Sequence, residues 1–259
     1  MDTELTPLDM DRMRRAAEML LEARRTLEPI TGLPLELRPH SISEAYAIQD
    51  VIAEAMGPIG GWKVAAATLG AQPIFAPMPL LGGFGISGVR IASSLSRMRG
   101  VEAEMAFVLA HDLPVRPTVY SRDEVVEAIG GCHPAIEVLE TAFEDPDGVE
   151  KPSLFADLLM NGGFVYGAAC PSWQSTDLRA EMASMSVDGA VRVESHAPEG
   201  FDPVRLLIWL ANQGQSRTGG LNAGDWITTG SWTGKVLANS GSEAVARFTS
   251  LGEVRVRFE

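Results

Sequence analysis

Apolar positions recur at two different periods along this chain. Over 8–27, Met10, Met13, Ala17, Leu20, Leu21 and Ala23 fall close to helical spacing with Arg and Glu on the remaining face, which predicts an amphipathic helix. Ser43 precedes a second such pattern over 44–56, and Gly57-Pro58 ends it. Ser121 to Glu124 fits a capping box opening a helix that runs to about Gly130. Residues 203–215 predict a further helix that buries Leu206, Leu207, Trp209 and Leu210. Short β-rich runs occupy 60–65, 89–93, 101–109, 134–139, 190–195, 226–229 and 244–248, and residues 252–258 alternate strictly, as a half-exposed strand does. The Pro- and Gly-rich stretch 73–88 reads as a long ordered loop. No internal repeat is visible. The expected organisation is a helical segment, 1–58, packed on a mixed, mainly β domain, 59–259.

The run Val101-Glu102-Ala103-Glu104-Met105-Ala106-Phe107-Val108-Leu109 departs from this apolar patterning. On a strand, Glu102 and Glu104 point to the same face, with Ala103 on the other. Two neighbouring carboxylates repel, and burying either without a partner costs several kcal/mol or raises its pKa. The apolar continuation from Met105 to Leu109 favours a bound hard cation over a neighbouring lysine. A third carboxylate of the same kind, Glu137, stands in the apolar run Pro134-Ala135-Ile136-Glu137-Val138-Leu139. Three carboxylates from two strands describe a Mg²⁺ or Mn²⁺ site with positions left for water and substrate.

Charge and composition narrow the partners. The chain has 259 residues, 46% hydrophobic and 21% charged, with a formal net charge of -13, which argues against nucleic acid and anionic membrane. A small anionic substrate stays compatible, because it reads the local field of a metal and a few cations. Residues 1–7 are acidic and polar, without a secretory pattern, and no apolar run approaches the roughly 20 residues of a membrane span. A cytoplasmic protein is expected. Its two cysteines, Cys132 and Cys170, read as buried free thiols.

Two further polar residues stand in apolar surroundings. Lys63, between Trp62 and Val64, either snorkels to solvent or meets a substrate carboxylate with its pKa lowered by burial. Asp157 is either a helix cap or a residue orienting the metal site, and Asn161 follows it in the same stretch. The turn Gly230-Ser231-Trp232-Thr233-Gly234 carries hydroxyls that bind an anion or shape the turn.

Taken in order, GGWKVA at 60–65, VEAEMAFVL at 101–109, PAIEVLE at 134–140, FADLLMNGGFVYG at 155–167, LNAGDWITTGSWTG at 221–234 and LGEVRVRF at 251–258 resemble the fumarylacetoacetate hydrolase-like superfamily. Within it the pattern is most similar to the 2-keto-4-pentenoate hydratase and 4-oxalocrotonate decarboxylase branch. The resemblance implies an α+β fold: a mixed, mainly β-roll core of the fumarylacetoacetase C-terminal kind, with an N-terminal helical segment and flanking helices. It implies Glu102, Glu104 and Glu137 as metal ligands, Lys63 and Asp157 as catalytic residues, and Mg²⁺ or Mn²⁺ as cofactor. Trp62, Phe75, Thr229, Gly230 and Ser231 are expected to bind the substrate. The implied activity is that of a hydratase on a 2-hydroxydienoate or 2-oxo acid from meta-cleavage of aromatic compounds. Decarboxylation of a 4-oxalocrotonate type and acylpyruvate-type C–C hydrolysis are the alternatives, and a non-catalytic assembly subunit is a third. The implied state is a homo-oligomer, alone or complexed with a pathway enzyme. The chain departs from the branch in having Glu140-Thr141-Ala142 where Asp-Ser-Arg is usual, so a substrate-facing arginine is missing, and in lacking an acid between 73 and 84. The missing arginine leans against a dicarboxylate substrate.

Overall fold

Local capping sets the helical segment. A computed structural model describes residues 5–66, 68, 70–80, 83–197 and 200–259. Helix α1 (Pro7–Thr26) opens with Pro7 in its first turn and a capping box between Thr6 and Asp9. Helix α2 (Ile42–Met56) starts two residues earlier than expected, because Ser41 rather than Ser43 accepts the Glu44 amide. It ends at Gly57, whose φ of 97° suits a residue without a Cβ. The buried faces of α1 and α2 join Ala142, Phe143, Ala156 and Leu158 in a cluster of their own. Among the described residues no helix is long and apolar enough to cross a membrane.

The strands are β1 (Ile59–Ala65), β2 (Ile74–Pro79), β3 (Phe84–Ile86), β4 (Val89–Ile91), β5 (Gly100–Leu109), β6 (Leu113–Pro114), β7 (Ile129–Leu139), β8 (Asn161–Tyr166), β9 (Met182–Val187), β10 (Ala190–His196), β11 (Gly220–Leu221), β12 (Trp226–Ser231), β13 (Val236–Leu237), β14 (Glu243–Phe248) and β15 (Gly252–Phe258). Between them lie helices α3 (Arg122–Ala128), α4 (Lys151–Ala156), α5 (Pro203–Trp209) and α6 (Gln215–Thr218), the last two joined by a π-turn. The expected capping box at Ser121 and Glu124 is present.

The largest sheet runs β2-β1-β12-β5-β7-β8-β3, with β13 adding to β5. A second runs β10-β9-β14-β15-β4, and β11 pairs with β6. One face of the large sheet, including Val64, Ala103, Met105, Phe107, Ile136 and Ile227, packs into a single core with Met185, Ala244, Ala246, Val254 and Val256 of the second sheet. Its other face carries the polar residues described below. The architecture is mixed α and β, with several sheets and few helices.

The stretch 73–88 is not one loop. It contains β2 and β3, although Leu81 and Gly82 fall outside the described residues. Both strands lie at the ends of the sheet, where Pro77 and Pro79 in β2 cost no interior ladder bond.

Candidate metal centre

Register alone brings the carboxylates together. In the antiparallel pair β5–β7, Glu102 lies opposite Glu137 and Glu104 opposite Ala135. Residues opposite one another share a face, as do residues two apart, so all three acids project from the same side. One carboxylate oxygen from each lies within 4.8 Å of the others. Glu104 and Glu137 are buried and Glu102 partly so.

Lys63 joins them from across the sheet. Strand β12 places Thr228 opposite Ala106 of β5, and β1 runs parallel to β12 with Lys63 beside Thr228. The Lys63 ammonium lies 2.6 Å from Glu137 Oε1 and donates to the Leu159 carbonyl at 2.8 Å. Asn161 Nδ2 donates to the same Glu137 oxygen at 2.9 Å. Glu137 Oε2 is buried and has no hydrogen-bond partner. Three carboxylates against one ammonium leave a local charge of about -2, and hard oxygen donors around an unpartnered buried oxygen fit a divalent cation.

A bulge in β12 completes this face. Thr228 pairs with Ala106 and Ser231 with Glu104, so three residues of β12 span two of β5. The extra residue turns Ser231 onto the carboxylate side and frees the Gly230 amide, which donates to Glu104 Oε2 at 3.0 Å. Gly230 has a φ of 93°, which a residue with a side chain adopts only under strain. Thr229 faces the other way, its hydroxyl bonded to the Met105 carbonyl.

Burial pushes the Glu104 carboxyl well above the usual carboxylate range; the charge of Glu137 adds to this and Lys63 opposes it. Glu102 is raised by burial and then by Glu137. For Lys63, burial pulls the pKa down, yet Glu137, Glu102 and Glu104 together outweigh it and hold the ammonium above its ordinary value. The expectation of a lowered lysine pKa is therefore reversed in the protein facing its own carboxylates. A metal displaces the proton that a raised Glu104 retains. Mg²⁺ titrated into the protein at mildly acidic pH is expected to release protons, less so as the pH rises past the Glu104 range. Calorimetry in buffers of different ionisation enthalpy reads this directly, and heats independent of buffer under acidic conditions would contradict it.

Besides Thr229, three expected site residues lie away from the carboxylates. Trp62 alternates with Lys63 and so points to the opposite face, where Phe75 also lies, opposite Val64 in register. There the Trp62 and Phe75 rings meet edge-on at 5.8 Å, and Phe75 packs on Tyr46 and Trp209. Both belong to the apolar core rather than to the carboxylate face. The Asp157 carboxylate makes no described contact with Lys63. It accepts from Arg24 Nε at 2.5 Å, Thr141 Oγ1 at 2.6 Å and the Ala142 amide at 2.7 Å.

Asp157 instead holds a turn. Leu158, Leu159 and Met160 follow it with φ values of 53°, 51° and 65°, three consecutive left-handed residues none of which is glycine. Arg24 of α1 also donates to the Asp157, Glu140 and Asn161 carbonyls. This turn presents the Leu159 carbonyl to Lys63 and leads into Asn161, the Glu137 partner. Asn161 was visible in the sequence as an amide in an apolar stretch, whereas Arg24 looked like any residue on the polar face of its helix. The Glu140-Thr141-Ala142 stretch serves the same network: Glu140 accepts from the Met98 and Thr141 amides.

Known proteins resemble this chain along most of its length. The 2-keto-4-pentenoate hydratase of Paraburkholderia xenovorans LB400 is 27% identical over 257 residues, covering 94% of each chain. The 2-oxo-hept-4-ene-1,7-dioate hydratase of Escherichia coli is 26% identical over 260 residues, 93% of this chain and 96% of that one. Among solved structures, the 4-oxalocrotonate decarboxylase from Pseudomonas putida G7, complexed with magnesium and adipate, superposes with a TM-score of 0.83 at 23% identity over 100% of both chains. The family model for the C-terminal domain of fumarylacetoacetate hydrolase matches residues 82–259, a span that holds Glu102, Glu104 and Glu137. The chain belongs to the fumarylacetoacetate hydrolase family.

Proposed function

We propose that this protein is a divalent-metal-dependent lyase that hydrates a 2-hydroxydienoate or its 2-oxo tautomer, with Mg²⁺ or Mn²⁺ held by Glu102, Glu104 and Glu137. The observation that carries this is the buried, unpartnered Glu137 oxygen inside a carboxylate cluster faced by one lysine. A bound divalent ion would supply Lewis acidity to the carboxylate and C2 oxygen of a 2-oxo acid, favouring its enolate. Lys63, fixed by Glu137 and the Leu159 carbonyl, carries a proton beside that position and neutralises a substrate carboxylate. Asn161 sets the orientation of Glu137, and the Gly230 amide that of Glu104. Asp157 acts through the 158–160 turn rather than by contact.

Hydratases among its full-length relatives support hydration over decarboxylation. Hydrolysis of a C–C bond calls for a histidine free to activate water beside the metal; His133, which shares the carboxylate face, is tied through Nδ1 to the Gly167 carbonyl with its ring edge-on to Trp226 at 4.7 Å, and His196 lies on β10 at the pocket beyond β12 rather than among the carboxylates. The test is metal-dependent turnover. Chelated protein is mixed with 2-hydroxypenta-2,4-dienoate, the conjugated enol's absorbance is followed, and Mg²⁺ or Mn²⁺ is added back. Loss of absorbance only with metal, and a product heavier by one water, is expected. Evolution of CO₂ from a dicarboxylate analogue without hydration would move the activity to decarboxylation, and no turnover of either the dienoate or its dicarboxylate analogue by metal-loaded protein would overturn the lyase reading.

A further inference from the structure

A pocket of about 250 Å³ opens at the edge of the carboxylate face. Ala65, two residues beyond Lys63 on β1, forms its near side together with Gly230 and Ser231 of the β12 bulge. Its far side is built by Phe201, Arg205 of α5 and Trp232. Ser231 stands opposite Glu104 in register, so the pocket and the carboxylate cluster share a wall. Trp232 is braced edge-on against Phe201 at 4.9 Å and Phe248 at 5.4 Å, which makes that wall apolar and stiff.

Arg205 is unusual in this setting. The chain carries 34 acidic against 21 basic residues, and arginines generally find a carboxylate. Among the described residues Arg205 forms no ion pair and its side chain donates no hydrogen bond, while its Nε is buried without an acceptor. The Trp232 indole N–H, on the same wall, also lacks one. The neighbouring acid, Asp202, does not neutralise Arg205, because both its oxygens are engaged by Arg122 at 2.6 and 3.0 Å. A partly buried guanidinium with vacant donors is matched by a carboxylate, which it binds through paired charge-assisted hydrogen bonds.

We propose that this pocket receives the far end of the substrate and that Arg205 binds a second carboxylate there, so the protein selects a 2-oxo acid that is a dicarboxylate. This rests on the metal-dependent reading of the Glu102–Glu104–Glu137 cluster and names the substrate class for it. It reverses the lean against dicarboxylates drawn from Ala142, because the cation comes from a different element.

The experiment compares 2-oxoadipate with 2-oxohexanoate, equal in length and differing only in the distal carboxylate, by calorimetric titration of the Mg²⁺-loaded protein. The wild type is expected to bind the dioate about tenfold more tightly. Arg205→Met is expected to lose that difference while keeping its affinity for 2-oxohexanoate and for Mg²⁺ within about twofold, and Arg205→Lys to keep part of it. Equal affinities in the wild type, or a preference that survives Arg205→Met, would overturn the assignment of Arg205. Failure of the wild type to bind Mg²⁺ would instead overturn the metal reading beneath it, and the proposal with it.

Discussion

Glu104→Gln is expected to weaken divalent-metal binding by more than about a hundredfold, since losing a direct ligand exceeds the 10–100-fold typical of an outer partner, and to abolish metal-dependent turnover. The same substitution should have the opposite effect on the protein without metal. Glu104 is fully buried, faces Glu102 and Glu137, and has its carboxyl pushed up by burial and by the Glu137 charge. A neutral amide of the same shape removes that repulsion and keeps an acceptor for the Gly230 amide. Melting of the chelated protein is therefore expected to shift upward by a few degrees, at about 2–4 °C per kcal/mol for a chain of this size, while added Mg²⁺ stabilises only the wild type. A Gln protein that binds metal as the wild type does would remove Glu104 from the centre altogether.

Arg24→Met is expected to be the most damaging single change outside the carboxylates, at about 3–5 kcal/mol, the usual cost of stripping one partner from a buried ion pair. The Arg24 side chain is 8% exposed and the Asp157 carboxylate 0%. Without the guanidinium, Asp157 keeps Thr141 and the Ala142 amide as donors but has no countercharge, and three carbonyls lose theirs. Because that turn holds Leu159 against Lys63 and Asn161 against Glu137, metal affinity should also fall, by about tenfold. Arg24→Met combined with Asp157→Asn should recover part of the stability, since the unpaired charge is gone. Thermal melts with and without Mg²⁺ read both effects, and a loss below about 1 kcal/mol for Arg24→Met would show that the pair carries little.

The carboxylate cluster was legible because a strand's period of two is rigid: acids at 102 and 104 must share a face, and a third acid in an apolar run needs the same neutralisation. Lys63 was legible only as an alternative: its run left solvent and a carboxylate contact open, and the apolar stretch 105–109 favoured a cation over the lysine that meets Glu137. That period, applied to Trp62, also places it on the opposite face, and following it further would have removed Trp62 and Phe75 from the substrate's surroundings. The end strands β2 and β3 were hidden because prolines and glycines that signal loops are tolerated where a strand has one neighbour or none beyond it. Arg24 and Asp157 meet across 133 residues, and Arg205 reaches the pocket beside β12 from a helix whose pattern shows only its buried side. Such pairings depend on how elements pack, and no local pattern encodes them.

Lys63 pairs in register with Thr228, and Glu104 with Ser231, so the centre is closed where the twelfth strand fits between the first and the fifth. Contacts this distant in sequence form late, because the entropy of closing so long a loop must be met before they stabilise anything. A chain emerging from the ribosome has β5 and β7, hence its carboxylates, long before β12 can bring Lys63 alongside. The order of synthesis leaves a stage at which the paired acids of β5 and β7 lack the strand that seats Lys63 beside them.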